Sequence, residues 1–403
     1  MGFDAAIKME PGECAHIKAE ALRVCKEDVA KTMRKISDTL HGFAETAFKE
    51  HRSAALLCDT LEASGFTVER GYCDMPTSFR AEINRDCPGP AICLLAEYDA
   101  LPALGHACGH NLISAATVGA ALSLRSLAHH LPGKIVVIGS PAEESGGGKA
   151  FLVERGAFHD IDAALIAHPA TKTYVASRAL AWEPLRITFR GRPSHAGSAA
   201  HEGVNALNAV IETFNSINAL RQHVTSDVRI HGIITHGGDA VNIVPEFAQA
   251  DFLIRAATLD HLGEMVEKVK DCARGAAIAT GTSVALEKTG PVYKPIRGNR
   301  PLERAFAQNL ELLGVPHVIG GDKINMGSTD MGNVSFAIPA LHPQYSIAER
   351  DIVAHTSEFA EVTASDYANE RTLEMAVALA FTCIDLFLKP DLLEAVKEAF
   401  GRS

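Results

Sequence analysis

This 403-residue sequence has little basic charge, little tryptophan and no paired cysteine motif. Lys and Arg number 38 against 49 Asp and Glu, a net charge of −11. That balance argues against nucleic acid or an anionic membrane surface as a partner. No run of about 18 apolar residues occurs, so no membrane span is expected. The opening residues, MGFDAAIKMEPGE, lack a basic stretch followed by an apolar one, so no secretory signal is expected. The 9 cysteines are an odd, scattered set without a C-x-x-C pair. They read as reduced thiols in a cytoplasmic compartment rather than as a disulfide framework. There is no low-complexity tract and no repeat of short period.

What is present is a chain long enough for two domains and 47% hydrophobic, enough to bury substantial cores. It is organised around residues 91–111, AICLLAEYDALPALGHACGHN. Residues 91–96 are a short apolar run, the pattern of a strand covered on both faces. The run breaks at Glu97-Tyr98-Asp99 and ends in His106-Ala-Cys108-Gly-His110-Asn111, just before a helical pattern. An open α/β sheet places its chemistry at the carboxyl ends of such strands.

Helices are expected over 13–40 and 49–64, with His41 and Glu45 between them as either a polar junction or catalytic groups. Strands are expected over 66–68, 78–83, 91–97, 134–139 and 163–167, and helices over 112–130 and 150–157. Three buried strands in succession then end in ligand-type residues: Cys108 and His110, Glu143 and Glu144, and His168. Helical connections imply parallel strands, which bring those ends to one edge of a sheet. Residues 184–294 read as β-α-β-β-α-β, a small ferredoxin-like domain. It is inserted into a larger domain made of 1–183 and 295–403. The expected fold is therefore α/β: a mostly parallel-centred sheet with helices on both faces, plus the insert. In the returning segment, a helix is expected over 301–313, a strand over 334–338 and a last helix over 365–388.

The candidate metal ligands are Cys108, His110, Glu144, His168 and His355, with Glu143 beside them. Thiolate, imidazole and carboxylate suit Zn²⁺, with Mn²⁺ or Co²⁺ as alternatives. The donors exceed the needs of one tetrahedral ion and suit two ions about 3.5–4 Å apart. Adjacent residues leaving a strand end point differently, so one glutamate of the 143–144 pair can ligate while the other takes a proton from water. A rival reading makes Cys108 a nucleophile with a histidine base. Cys108 and His110 are too close in sequence to assemble such a pair easily, and the surplus carboxylates would have no role.

EYDALP (97–102), GHACGHN (105–111), PAEESGGGK (141–149), AHP (167–169), GRPSHAG (191–197), GGDAVNIVP (237–245), GSTDMGNVS (327–335) and AHTSEF (354–359) span nearly the whole chain in order. Together they resemble the two-metal amidohydrolase and peptidase family of aminoacylases, glutamate carboxypeptidase and indole-acetyl-amino-acid hydrolases. EYDALP, HACGHN and STDMGNVS are similar to its aminobenzoyl-glutamate hydrolase and β-alanyl-lysine dipeptidase branch. The resemblance implies that Glu143 is the general base and that Cys108, His110, Glu144, His168 and His355 hold two divalent ions, Cys108 bridging them. It implies that His195, in the insert, stabilises the tetrahedral oxyanion in a neighbouring subunit's site, and that the insert makes a homodimer. Asn242 and Arg255 are then candidates for binding substrate, and Asp99 for orienting a ligand. Much of the family has His-x-Asp where this chain has Glu97-Tyr98-Asp99, so the first histidine ligand is missing there. Asn111 stands where the indole-acetyl group has Asp, and His41-Gly-Phe-Ala-Glu45 lacks the Pro usual before Glu. The activity implied is hydrolysis of the amide bond of an N-acyl or N-aroyl amino acid or a dipeptide. The alternative is a non-catalytic metal-binding subunit of a hetero-oligomeric amidohydrolase.

Overall fold

The computed structural model describes residues 12–320 and 327–402. The chain divides into two compact units. The first comprises residues up to Arg178, those from Ile296 to 320 and those from Asn333 onward. The second comprises Ala179–Pro295 and 327–332.

The first unit opens with α1 (Glu13–Val24), which passes through a wide turn into α2 (Ala30–Phe43), followed by α3 (His51–Ala63). Ile17, Ala21 and Val24, then Met33, Ile36 and Leu40, bury one stripe at helical spacing. Next come β1 (Thr67–Arg70), β2 (Phe79–Ile83), β3 (Ala91–Glu97), α4 (His110–Ser126), β4 (Lys134–Ser140), α5 (Gly148–Glu154), β5 (Ala163–Leu165) and β6 (His168–Ala170).

The second unit contains β7 (Ala181–Arg190), α6 (Ala206–Leu220), β8 (Arg229–His236), β9 (Phe247–Ala256), α7 (Leu259–Thr280) and β10 (Ser283–Lys288). Its four strands form one antiparallel sheet in the order β10-β7-β9-β8. Leu185, Ile187 and Phe189 of β7 and Ala248, Ala250, Phe252 and Ile254 of β9 turn inward against α6 and α7. That alternation is the period of a sheet with one covered face. The element order is β-α-β-β-α-β.

The chain then returns through α8 (Arg300–Leu312), α9 (Met331–Ala337), β11 (Ala340–Leu341), β12 (Gln344–Ser346), α10 (Ser357–Val362), α11 (Asp366–Leu388) and α12 (Pro390–Gly401). The main sheet runs β1-β2-β4-β3-β5-β11. The pairs β3/β4, β3/β5 and β5/β11 are parallel, and β1/β2 and β2/β4 antiparallel. All seven residues of β3 are buried, so both of its faces are covered. Helix α4 is seated on it by Thr117 and Ser114, whose hydroxyls donate to the carbonyls of Leu95 and Glu97 at 2.6 Å each.

The short elements β6, β11, β12 and α10 were not expected, and two longer ones differ from expectation. Residues 331–337 are helical, where a strand was expected over 334–338. Val334, Phe336 and Ile338 do alternate, but five residues cannot separate the two periods. The start of the helix is supported by Thr329, whose hydroxyl accepts the Met331 N–H at 3.2 Å. The final helix was expected to end the structure, yet α12 follows it, restarted by Pro390 in its first turn. Among the described residues no helix is long and apolar enough to cross a membrane.

Candidate metal centre

Because β3, β4 and β5 are parallel, their carboxyl ends share one edge, and the segments leaving that edge carry the titratable groups. The first leads through 98–109 into α4, whose first residue is His110. Gly109 precedes it with φ +83, and a Cβ there would lie 2.9 Å from the Pro169 ring. Glycine therefore permits both the left-handed turn and the approach of the β6 segment. The second is the turn 141–147 between β4 and α5. Ala142 takes φ +58, and a Cβ on Gly148 would meet the Pro141 carbonyl oxygen at 1.9 Å. Gly148→Ala is expected to force that turn apart at a cost of about 1–3 kcal/mol, read as a lowered Tm in a thermal melt.

The donors meet in three overlapping groups, each with ligand atoms within 4.8 Å of one another: Cys108, His110 and His168; Cys108, Glu144 and His355; and His110, Glu143 and Glu144. Cys108 Sγ lies 3.5 Å from His168 Nε2. His110 Nε2 faces Glu97 Oε2 at 3.4 Å, Glu144 Oε1 at 3.8 Å and Glu143 Oε2 at 4.0 Å. His355 Nε2 is 3.5 Å from Glu144 Oε1. The adjacent glutamates therefore converge on one imidazole instead of pointing apart. They sit in a tight turn rather than on extended backbone, so strand alternation does not govern them.

Asp99 ties the first two segments together. Its Oδ1 takes His110 Nδ1 at 2.9 Å, and its Oδ2 accepts the Glu144 N–H at 3.0 Å. The first bond orients the His110 ring and turns Nε2 toward the carboxylates. His168 Nδ1 is likewise held, by the Pro169 carbonyl at 2.7 Å, leaving Nε2 toward Cys108. His355 has φ +64, and its N–H donates to Ala107 O at 2.9 Å, which brings this loop residue to the edge.

The electrostatics follow from burial set against charge. Burial alone would lower the His110 pKa, but Asp99 and Glu97 raise it well above its ordinary value. Burial disfavours the Asp99 carboxylate, yet His110 holds its pKa low. Burial likewise opposes the Glu97 carboxylate, and Lys149 and His110 overcome it. Burial pushes His168 down to about 4, which keeps its imidazole neutral. The Cys108 thiol is pushed well up by burial and by Glu144, the reverse of what a cysteine nucleophile needs.

His110 Nε2 and Glu144 Oε1 are buried atoms without a hydrogen-bond partner. Such orphans are costly unless something meets them. Soft and hard donors aimed at one small volume suit a borderline divalent ion, so the residues fit the metal that this donor set implies.

His195, Asn242 and Arg255 belong to the second unit. The His195 segment bridges Ile243, and the Ala196 N–H donates to Asn242 O at 3.0 Å, so these two candidates share one loop pair. His195 Nδ1 accepts the N–H groups of Gly197 and Ser198, both at 3.2 Å, which leaves the ring proton on Nε2 as a donor. Arg255, near the end of β9, lies over the Trp182 ring at 5.1 Å and reaches Ser328 Oγ at 3.4 Å. The other two groups left open by the sequence have structural partners. Glu45 accepts the N–H groups of Arg52 and Ser53 in the first turn of α3, and His41 meets Ala360 O at 2.9 Å.

Sequence reasoning missed three residues at this edge. Lys149 Nζ contacts Glu97 Oε1 at 2.6 Å, with neither side chain exposed. Glu50 accepts the Ala142 N–H at 2.9 Å and so braces the turn before Glu143. Glu97 ends β3 and Lys149 ends the glycine run, so the signal for that pair was a charged residue inside each otherwise apolar or glycine-rich motif. Glu50 gave no local signal.

Comparison with known proteins places this chain among the peptidases and amidohydrolases. Residues 178–280 match the family described as peptidase dimerisation domain. Over 97% of its length the chain is 37% identical to mouse (Mus musculus) Xaa-Arg dipeptidase, covering 95% of that protein. It is 30% identical to one of the subunits of p-aminobenzoyl-glutamate hydrolase of Escherichia coli, over 90% of each chain. Among solved structures, a dinuclear metal-binding M20 peptidase from Bacillus subtilis superposes with a TM-score of 0.64 at 19% identity, over 89% of this chain and 100% of that one. The chain belongs to the M20 family of peptidases.

Proposed function

We propose that this chain is a metal-dependent amidohydrolase cleaving the amide bond of a dipeptide or an N-acyl amino acid, next to a free carboxylate. The observation that carries the reading is the convergence of Glu143 and Glu144 on His110 Nε2, at 4.0 and 3.8 Å. Cys108, His110, Glu144, His168 and His355 would hold two divalent ions, zinc or manganese. Such ions, when bound, acidify water and polarise a carbonyl oxygen. Glu143 takes a proton from the attacking water on its carboxylate and delivers it to the leaving amine nitrogen. His195 of a second copy of the chain donates from Nε2 to the carbonyl oxygen as negative charge develops there. Arg255 offers a planar fork to the substrate carboxylate, with Asn242 beside the His195 loop.

A dipeptide is favoured over an aroyl amino acid by the relatives. The dipeptidase of mouse is 37% identical and that of human (Homo sapiens) 35%, against 30% for the bacterial hydrolase. The Glu143-Glu144 pair and His195 speak for a catalytic chain rather than a carrier subunit. A homodimer is supported by β8, the outer strand of its sheet, where Ile233 is 67% exposed and Ile234 stands beside it. An apolar unpaired edge is a template for a second copy. The 9 free cysteines suit a reducing, cytoplasmic compartment.

Elemental analysis with amine release from a panel of dipeptides and N-acyl amino acids tests the proposal. About two ions per chain are expected, with turnover lost on chelation and restored by Zn²⁺ or Mn²⁺. Turnover indifferent to chelator but lost on thiol alkylation would reinstate Cys108 as a nucleophile.

A further inference from the structure

The proposed reaction has no use for the ion pair between Glu97 and Lys149. Both side chains are 0% exposed. Removing a carboxylate and an ammonium from water is expensive, and apolar residues of similar volume often serve packing as well or better. The position of the pair therefore needs a reason. Glu97 closes β3, and Lys149 is the second residue of α5, so both lie at the edge that gathers the donors.

The two carboxylate oxygens of Glu97 face different partners. Oε1 takes Lys149 Nζ at 2.6 Å, while Oε2 stands 3.4 Å from the orphaned His110 Nε2. Two donors sharing one tetrahedral ion through bonds of about 2.1 Å lie about 3.4 Å apart. Glu97 is thus already at ligating separation from a candidate ligand. The ammonium on its other oxygen neutralises it and repels a cation.

We propose that the Glu97–Lys149 pair sets the metal affinity and coordination number of the centre: Lys149 holds Glu97 as an outer carboxylate, and loss of the ammonium makes Glu97 an additional ligand. This rests on the metal-dependent reading above. A carboxylate released from its counter-ion brings both negative charge and an oxygen donor to the ions. Arginine would keep the charge, but its wider planar head does not match a site shaped around one ammonium.

The probe is Co²⁺, added to the full-length chain after chelation and followed by chelator competition and visible absorption. Lys149→Met is expected to tighten Co²⁺ binding by about 10–100-fold. It is also expected to weaken the visible band, because an added oxygen raises the coordination number. The double variant Glu97→Gln, Lys149→Met has no charge left in the pair and should keep the affinity and spectrum of the parent. Should Lys149→Met not fold, Lys149→Gln removes the charge while keeping a donor for Oε1, with the same expectation. Unchanged or weaker binding in the Lys149 variant, or an unchanged spectrum, overturns the proposal. Loss of Co²⁺ by the double variant overturns it too, since Glu97 would then already be a ligand. If the parent itself takes up no Co²⁺, the fault lies with the metal-dependent reading instead.

Discussion

Glu143→Gln is expected to lower kcat by about 10²–10⁴-fold, the usual contribution of a positioned general base, while leaving metal content unchanged. Glu144→Gln is expected to lose metal and activity together. The geometry motivates both halves. Glu144 Oε1 is buried without a hydrogen-bond partner and lies within 4 Å of both His110 and His355, the placement of a metal ligand. Glu143 Oε2 reaches His110 at 4.0 Å and joins the His110 group of donors, whereas Glu144 joins both that group and the one around Cys108 and His355. The backbone around Glu143 is fixed on either side, since Glu50 accepts the Ala142 N–H and Asp99 accepts the Glu144 N–H. An isosteric amide at 143 therefore keeps the turn and removes only the basic oxygen. Steady-state kinetics with elemental analysis of both variants decides the matter. If Glu143→Gln empties the site while Glu144→Gln keeps it, the two roles are exchanged.

The sheet edge was legible because β3 and β4 are buried on both faces. Such strands read as unbroken apolar runs, and the first polar residue after each run marks its carboxyl end. Helical connections then make the strands parallel, and parallel strands deliver Cys108, His110, Glu143, Glu144 and His168 to one side without any knowledge of contacts. The alternating strands of the second unit were legible for the complementary reason, one covered face and a period of two. Local pattern does not encode who faces whom across the chain. Glu50 and Ala142 are 92 residues apart, and Asn111, beside His110 in sequence, bonds Ser37 and the Thr363 carbonyl. The run Val334-Ser-Phe-Ala-Ile338 failed for another reason. It is too short for its period to be read, and a hydroxyl that accepts the Met331 N–H at the helix start lies outside the run. Sequence also treated Glu143 and Glu144 as diverging, an inference valid on a strand and invalid in the turn that Ala142 and the glycines build.

The largest expected effect on stability lies away from the metal centre, where α1 docks on α11. Lys18 and Asp385 are 4% and 3% exposed and pair at 2.7 Å. Asn309 of α8 joins the network, accepting Lys18 Nζ at 2.7 Å and donating to Asp385 Oδ2 at 2.9 Å, and Lys389 Nζ meets Asp385 Oδ1 at 2.7 Å from the half-exposed side. Asp385→Ala leaves the Lys18 ammonium buried with a neutral amide as its remaining acceptor in that network, and breaking such a pair costs about 3–5 kcal/mol. Replacing both partners, as in Lys18→Met with Asp385→Leu, removes the stranded charge and should recover most of that loss. The loss depends on pH in a defined direction. Burial disfavours the Asp385 carboxylate, but Lys18 outweighs it and holds its pKa below the ordinary value. A depressed carboxyl contributes its stabilisation fully above the unfolded pKa of about 3.9 and loses it as pH falls through the lower folded value. The gap between parent and Asp385→Ala, read from denaturant unfolding, should therefore be widest near neutrality and narrow in acid below about pH 4. A gap under about 1 kcal/mol at pH 7, or one that widens in acid, would show that the network does not hold α1 in place.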